Sequence, residues 1–157
     1  MTFDLKLPDA AATVRLGAAL APGVAPGRVL HLCGELGTGK TTLVRGLLRA
    51  LGVAGPVKSP TYAWVEPYTV SSLDLYHFDF YRFDDRNAWL SSGLADYFRA
   101  DAACIVEWPE RAGDVLPPPD LRVQLSYEGE ARHAALTAHS AAGEAWLSSS
   151  RRSLASI

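Results

Sequence analysis

The chain has 157 residues, 48% hydrophobic and 20% charged, which fits one domain spanning 1–157 and leaves no room for a second nucleotide-binding domain. A formal net charge of −2 argues against a surface built to coat nucleic-acid phosphates, so direct RNA contact is not expected. The start Met-Thr-Phe-Asp-Leu-Lys lacks a signal-peptide pattern and no apolar stretch approaches membrane-spanning length, while Cys33 and Cys104 lie inside apolar runs as packed, reduced thiols, so a soluble cytoplasmic protein is expected.

Thr2 to Leu7 alternates Phe3, Leu5 and Leu7 as a short half-buried strand, and Pro8-Asp9 opens a helix to about Leu20. Pro22, Gly23, Pro26 and Gly27 mark a turn before Arg28-Val-Leu-His-Leu-Cys33, a buried strand by composition. Residues 34 to 41 then spell Gly-Glu-Leu-Gly-Thr-Gly-Lys-Thr, a complete phosphate-binding loop. Thr42 to Leu51 follows with Leu43, Leu47, Leu48 and Leu51 at helical spacing, so strand, loop and helix occur in the order the motif requires. Gly34, Gly37 and Gly39 allow the backbone to turn its N–H groups around a β-phosphate, which the positive end of the helix dipole also attracts. Lys40 is expected to reach the β- and γ-phosphates, and the Thr41 hydroxyl to ligate magnesium.

Beyond this helix, Gly52, Gly55, Pro56 and Pro60 make 52–60 an exposed, adjustable loop. It runs into Val57-Lys-Ser-Pro-Thr-Tyr62, in the place where many phosphate-loop enzymes keep a segment that senses the γ-phosphate. Ser59 or Thr61 is expected to meet magnesium or its water; the alternative is a strand entry rigidified by Pro60. Strands are predicted over Thr61–Tyr68, Leu73–Phe80 and Cys104–Trp108, with helices near Asp85–Ser92 and Leu94–Ala100 between the last two. In His77-Phe-Asp-Phe-Tyr-Arg82, Asp79 points opposite to Phe78 and Phe80 and needs a partner, either magnesium with its water or a salt bridge to Arg82 or Arg86. Tyr76 and His77 are expected to be packing residues. Cys104-Ile-Val-Glu-Trp-Pro109 ends an apolar strand on an acid, the usual form of a second magnesium-site motif, with Glu107 as the ligand. Trp108 either covers the nucleotide or a partner, or serves as a packing lid.

Pro117-Pro118-Pro119 is a rigid connector, Leu121–Tyr127 and Arg132–Ala138 form a hairpin, and a helix from Ala141 ends the chain, with 148–157 prone to fray. The fold class expected is α/β: a three-layer P-loop NTPase fold with a central, mostly parallel sheet and a C-terminal antiparallel hairpin.

The phosphate loop, Val57–Tyr62, Tyr76–Arg82 and Ile105–Pro109 together resemble the TsaE family, also called YjeE, over nearly the whole chain. The resemblance implies a magnesium-dependent ATPase, weak alone and stimulated by its partners TsaD and TsaB. In that family it acts in threonylcarbamoylation of adenosine 37 in tRNAs reading codons that start with A, and ATP hydrolysis keeps the complex cycling. It further implies nucleotide contacts from Glu35, Leu36, Gly37, Thr38, Gly39, Lys40, Thr41, Thr42 and Trp108. Catalytic duties fall to Lys40, Asp79 and Glu107, metal ligation to Thr41 and Glu107, and the switch loop to Ser59 and Thr61. Phe80 departs from the family's usual leucine, an apolar exchange. The rival classes are an ATP-holding regulatory module without turnover and a small-molecule kinase; a kinase would need an arginine-rich lid, for which no compact arginine cluster follows the third strand. A GTPase would need Asn-Lys-x-Asp, yet Asn87 precedes alanine.

Overall fold

The computed structural model describes residues 1–60 and 63–157; the side chain of residue 86 is likewise outside the description. In chain order the elements are β1 (Thr2–Leu7), α1 (Ala10–Leu20), β2 (Val29–Cys33), α2 (Lys40–Ala50), β3 (Val65–Val70), β4 (Leu73–Asp79) and α3 (Arg86–Ser92). They continue with β5 (Ala102–Glu107), α4 (Pro109–Ala112), β6 (Leu121–Glu128), β7 (Ala131–Ala138) and α5 (Ala141–Leu154). The strands join one seven-stranded sheet in the order β1-β7-β6-β2-β5-β4-β3. Its centre, β6-β2-β5-β4, is parallel, and both flanks are antiparallel. This is the α/β layering expected, with β6 and β7 as the C-terminal hairpin.

Two apolar clusters cover the two faces. On one, Leu30, Leu32, Leu75, Ala103 and Ile105 meet α1, α2 and α5 through Leu16, Leu43, Leu47 and Leu147. On the other, Phe78, Phe80, Cys104 and Val106 meet α3, α4 and the turns beside them through Trp89, Leu94 and Ala112. Strands β2 and β5 are therefore buried along their length, which is why they read as unbroken apolar runs rather than alternating ones. Phe80 is fully buried with ring centroids 5.2 Å from Phe83 and 6.1 Å from Trp89, so its ring fills an aromatic cluster. Cys33 and Cys104 are buried and unpaired, as expected. Among the described residues no helix is long and apolar enough to cross a membrane.

Helix starts follow their capping residues: Asp9 accepts the Ala12 N–H at 2.9 Å, Asp85 that of Asn87 at 2.8 Å, and Ser140 that of Gly143 at 3.0 Å. Several boundaries differ from the sequence expectation. The third strand begins at Val65, because Trp64 turns the chain at φ 64°; Thr61 and Tyr62 lie outside the described residues. Pro67 is tolerated because β3 is the sheet edge. In place of a helix over 94–100 there is a 3-10 turn at Leu94–Tyr97, which lets Tyr97 and Phe98 both reach β4, at 4.7 Å from Tyr76 and 4.9 Å from Phe78. The last helix holds to Leu154, whose burial in the core prevents fraying over 148–154. Finally, Val57 and Pro60 are buried, so the 52–60 loop is anchored at its far end rather than exposed throughout.

Helices α1 and α2 touch through backbone. A Cβ on Gly17 would lie 2.1 Å from the Leu43 carbonyl oxygen, and one on Gly46 would lie 2.2 Å from that of Val14. Alanine normally favours a helix over glycine by about 1 kcal/mol. Here Gly17→Ala and Gly46→Ala are each expected to do the reverse, destabilising the fold by about 1–3 kcal/mol in urea titrations; an unchanged midpoint would show the contact to be slack.

His31 on β2 is 8% exposed, its Nε2 has no hydrogen-bond partner among the described residues, and burial, aided by Arg122 and His139, lowers its pKa to about 4. The unfolded chain, titrating near 6.5, binds the extra proton between those values. Stability is thus full above pH 6.5 and falls as pH drops towards 4, by on the order of 3 kcal/mol from this residue. The stability difference between wild type and His31→Leu should change across that window, and parallel pH profiles would contradict it.

Candidate phosphate-binding site

The loop 34–39 leaves the carboxyl end of β2 and feeds directly into α2, whose N-cap Gly39 has φ 106°. Among the described residues no side chain caps α2, so there the N–H groups of its first turn have no side-chain acceptor. Gly34 adopts φ 147° where a Cβ would come within 2.5 Å of the Leu125 carbonyl oxygen, a position only glycine fills without displacing β6. The Thr38 hydroxyl donates to Glu35 O at 2.8 Å, closing the loop on itself. Lys40 is 5% exposed; its Nζ donates to Gly34 O at 2.6 Å and Glu35 O at 2.9 Å and lies 4.2 Å from the centroid of the Trp108 ring. Burial lowers the pKa of this ammonium group against the opposing pull of Glu107, Glu110 and Asp79.

The acids meet the loop because of strand register. Asp79 on β4 pairs with Glu107 on β5, so the two carboxylates end adjacent parallel strands on the face that carries α2. The Thr41 hydroxyl, in the first turn of α2, donates to the Glu107 carboxylate, 3.0 Å from Oε1 and 3.1 Å from Oε2. Asp79 accepts hydrogen bonds from Ser59 Oγ and from the Tyr81 N–H, the latter at 2.9 Å. Burial raises the Asp79 pKa, with the Tyr81 N–H opposing. A cleft of about 420 Å³ opens over these groups, bounded by Leu36, Gly37, Lys40, Thr41, Ser59, Asp79, Arg82, Glu107 and Trp108.

Of the expected residues, Leu36, Gly37, Gly39, Lys40, Thr41, Thr42, Ser59, Asp79, Glu107 and Trp108 line this cleft; Glu35 and Thr38 do not, and Thr61 lies outside the described residues. Glu35 and Leu36 are exposed on the rim of the loop, and Thr42 lines both this cleft and a second groove of about 160 Å³ behind the loop. Ser59 reaches the cleft through Asp79. Trp108 is half-buried in the left-handed region at φ 55°, an uncommon conformation for a bulky residue, and its indole packs against Tyr81 and Arg111.

The expectation that His77 is only a packing residue is corrected: its Nε2 lies 2.6 Å from Glu107 Oε2. The outer side of the loop has braces that no local pattern announces. Tyr127 donates to Leu36 O at 2.5 Å and Arg132 to Gly37 O at 3.5 Å, with the Arg132 guanidinium 4.3 Å from the Tyr127 ring centroid. The second groove is walled by Asp9, Thr13 and Arg132. A sequence signal for these is absent because they reach the loop only through the placement of β6 beside β2 and of α1 beside α2.

The donor set suits magnesium. Thr41 and Glu107 offer hard oxygens from converging directions, with Asp79 in the same cleft.

A glycine-rich loop between a buried central strand and an uncapped helix, with acids ending the neighbouring parallel strands, defines a P-loop protein of the α/β class. Within that class the chain belongs to the TsaE family, whose model, described as threonylcarbamoyl adenosine biosynthesis protein TsaE, matches residues 7–135. It is 42% identical over 116 residues to the tRNA threonylcarbamoyladenosine biosynthesis protein TsaE of Haemophilus influenzae, covering 74% of this chain and 73% of that one. Identity to the Nostoc protein of the same description is 36% over 146 residues, 87% of this chain and 89% of the other. The crystal structure of Bacillus subtilis YdiB superposes with a TM-score of 0.80 at 27% identity, over 97% of this chain and 95% of that one.

Proposed function

We propose that the chain is a magnesium-dependent ATPase that works with TsaD and TsaB in the cytosol, using hydrolysis to cycle the complex that places threonylcarbamoyl on adenosine 37 of tRNA. The observation that carries this reading is the convergence of Lys40, Thr41, Asp79 and Glu107 on one cleft at the carboxyl ends of β2, β4 and β5. Family membership supports the pathway.

In this reading the N–H groups of the loop and of the first turn of α2 hold the phosphates, and Lys40 turns from Gly34 O and Glu35 O towards the β- and γ-oxygens. Thr41 and Glu107 would hold magnesium, which when bound would supply positive charge to offset that developing on those oxygens. Asp79, with its basicity raised by burial, orients a water for in-line attack on the γ-phosphorus and accepts its proton; the new P–O bond forms as the bridging bond to ADP breaks. Ser59, bound to Asp79, connects this step to the 52–60 loop. The nucleoside leaves the loop past Thr42, into the groove walled by Asp9, Thr13 and Arg132.

Phosphate release and calorimetric binding test the assignments. Lys40→Ala is expected to lower ATP affinity or turnover by tenfold or more, since it removes the loop's own cation. Glu107→Gln should shift the magnesium titration to higher concentration while leaving nucleotide binding in EDTA largely intact. Asp79→Asn should slow hydrolysis more than it weakens binding. Unchanged values in all three variants would refute the site.

A charge-stabilising group supplied by a partner contributes roughly 10³ to 10⁵ in rate in other P-loop enzymes. The lone chain is expected to be a slow ATPase that TsaB and TsaD together stimulate severalfold or more, by ordering the 52–60 loop and closing over Trp108. Single-turnover rates that are equal with and without saturating partners would exclude activation, and no phosphate release in either condition would leave an ATP-holding module.

A further inference from the structure

His77 is fully buried, yet the hydrolytic reading gives it no duty. Its ring stands on the face of β4 that also carries Asp79, and Nε2 lies 2.6 Å from Glu107 Oε2. The other ring nitrogen, Nδ1, is buried without a hydrogen-bond partner among the described residues. With Glu107 as a carboxylate, a contact this short requires a proton on Nε2. An unpartnered Nδ1 is then accommodated as a bare lone pair instead of a buried donor, the costlier case. These two facts assign the Nε2–H tautomer.

Glu107 is held from two sides. Thr41 Oγ is near both carboxylate oxygens, so alone it leaves the carboxylate free to pivot about the hydroxyl. The imidazole contacts Oε2 only, and it is anchored in a strand whose register with β5 is set by parallel pairing. That single contact removes the remaining rotation.

We propose that His77 is a positioning residue for the metal ligand Glu107: donation from Nε2 locks the carboxylate in the orientation that faces Thr41, and so sets the affinity for divalent cation. This rests on the reading of Glu107 as a magnesium ligand. Hydrogen-bonded partners of ligating groups typically contribute 10- to 100-fold in metal affinity.

The test uses Mn²⁺ as a paramagnetic probe, its binding followed by electron paramagnetic resonance in the presence of a non-hydrolysable ATP analogue, on the full chain. His77→Met, of similar bulk without a donor, is expected to weaken Mn²⁺ binding by about 10- to 100-fold, whereas His77→Gln, which keeps an N–H, should stay within a few fold of wild type. Nucleotide affinity in EDTA should be unchanged in both. Equal loss in the two variants, or none in either while Glu107→Gln loses Mn²⁺, overturns the proposal and makes His77 a packing residue. Unaltered Mn²⁺ binding in Glu107→Gln would instead refute the ligand reading beneath it. If His77→Met does not fold, ¹⁵N spectra of the wild-type imidazole decide: a protonated Nε2 whose resonance moves on Mg²⁺ addition supports the role, and a protonated Nδ1 or a resonance indifferent to Mg²⁺ overturns it.

Discussion

A carboxylate taken out of water and left without partners would cost several kcal/mol, and Glu107 is 2% exposed. Its partners come from elements far apart in the chain: the Thr41 hydroxyl from the first turn of α2 and the His77 imidazole from the middle of β4. Satisfying this one side chain therefore requires β5 to lie between β2 and β4, in parallel, with their carboxyl ends level. The same requirement places Asp79 beside Glu107 and sets the phosphate loop opposite both. The arrangement of the site and the topology of the sheet are one condition seen at two scales.

How much of this was legible depends on how local each constraint is. The phosphate loop is contiguous, and its flanking strand and helix carry unambiguous periodicities, so Lys40 and Thr41 could be placed with their neighbours. Glu107 and Asp79 were legible because an acid ending or interrupting an apolar strand has few places to go. His77 was not, since a histidine in an aromatic strand looks the same whether it packs or donates; only the β4–β5 pairing brings it to Glu107. Tyr127 and Arg132 are similarly hidden: an aromatic and a basic residue near a hairpin tip carry no signal until β6 is inserted beside β2. The lost helix at 94–100 is a case of tertiary packing overriding local propensity, two adjacent aromatics both being required against β4.

The two sides of the phosphate loop are built differently. Towards β6 and β7, backbone carbonyls of the loop are gripped by Tyr127 and Arg132. Towards β4 and α4 the contacts are made by side chains that bear charge or aromatic surface: Lys40 against Trp108, Trp108 against Arg111, and Ser59 against Asp79. Trp108 accepts left-handed backbone to stand there, at a cost of order 1 kcal/mol or more that the adjoining Pro109 helix start and the buried β5 sustain. The first side fixes the loop's shape; the second carries the groups with chemistry to perform.

The backbone-to-backbone contact of α1 with α2 has a mechanical consequence. Where glycines at 17 and 46 bring carbonyl oxygens to the surface of the opposite helix, there are no side-chain rotamers between the two rods to absorb displacement. The pair behaves as one stiff beam, with the phosphate loop clamped to its end. The opposite flank differs: residues 52 and 54–56 of the 52–60 segment are exposed, and the segment is held at its far end by Val57 and Pro60. Force applied to α1 would therefore be passed to the loop by a helix pair moving as one body.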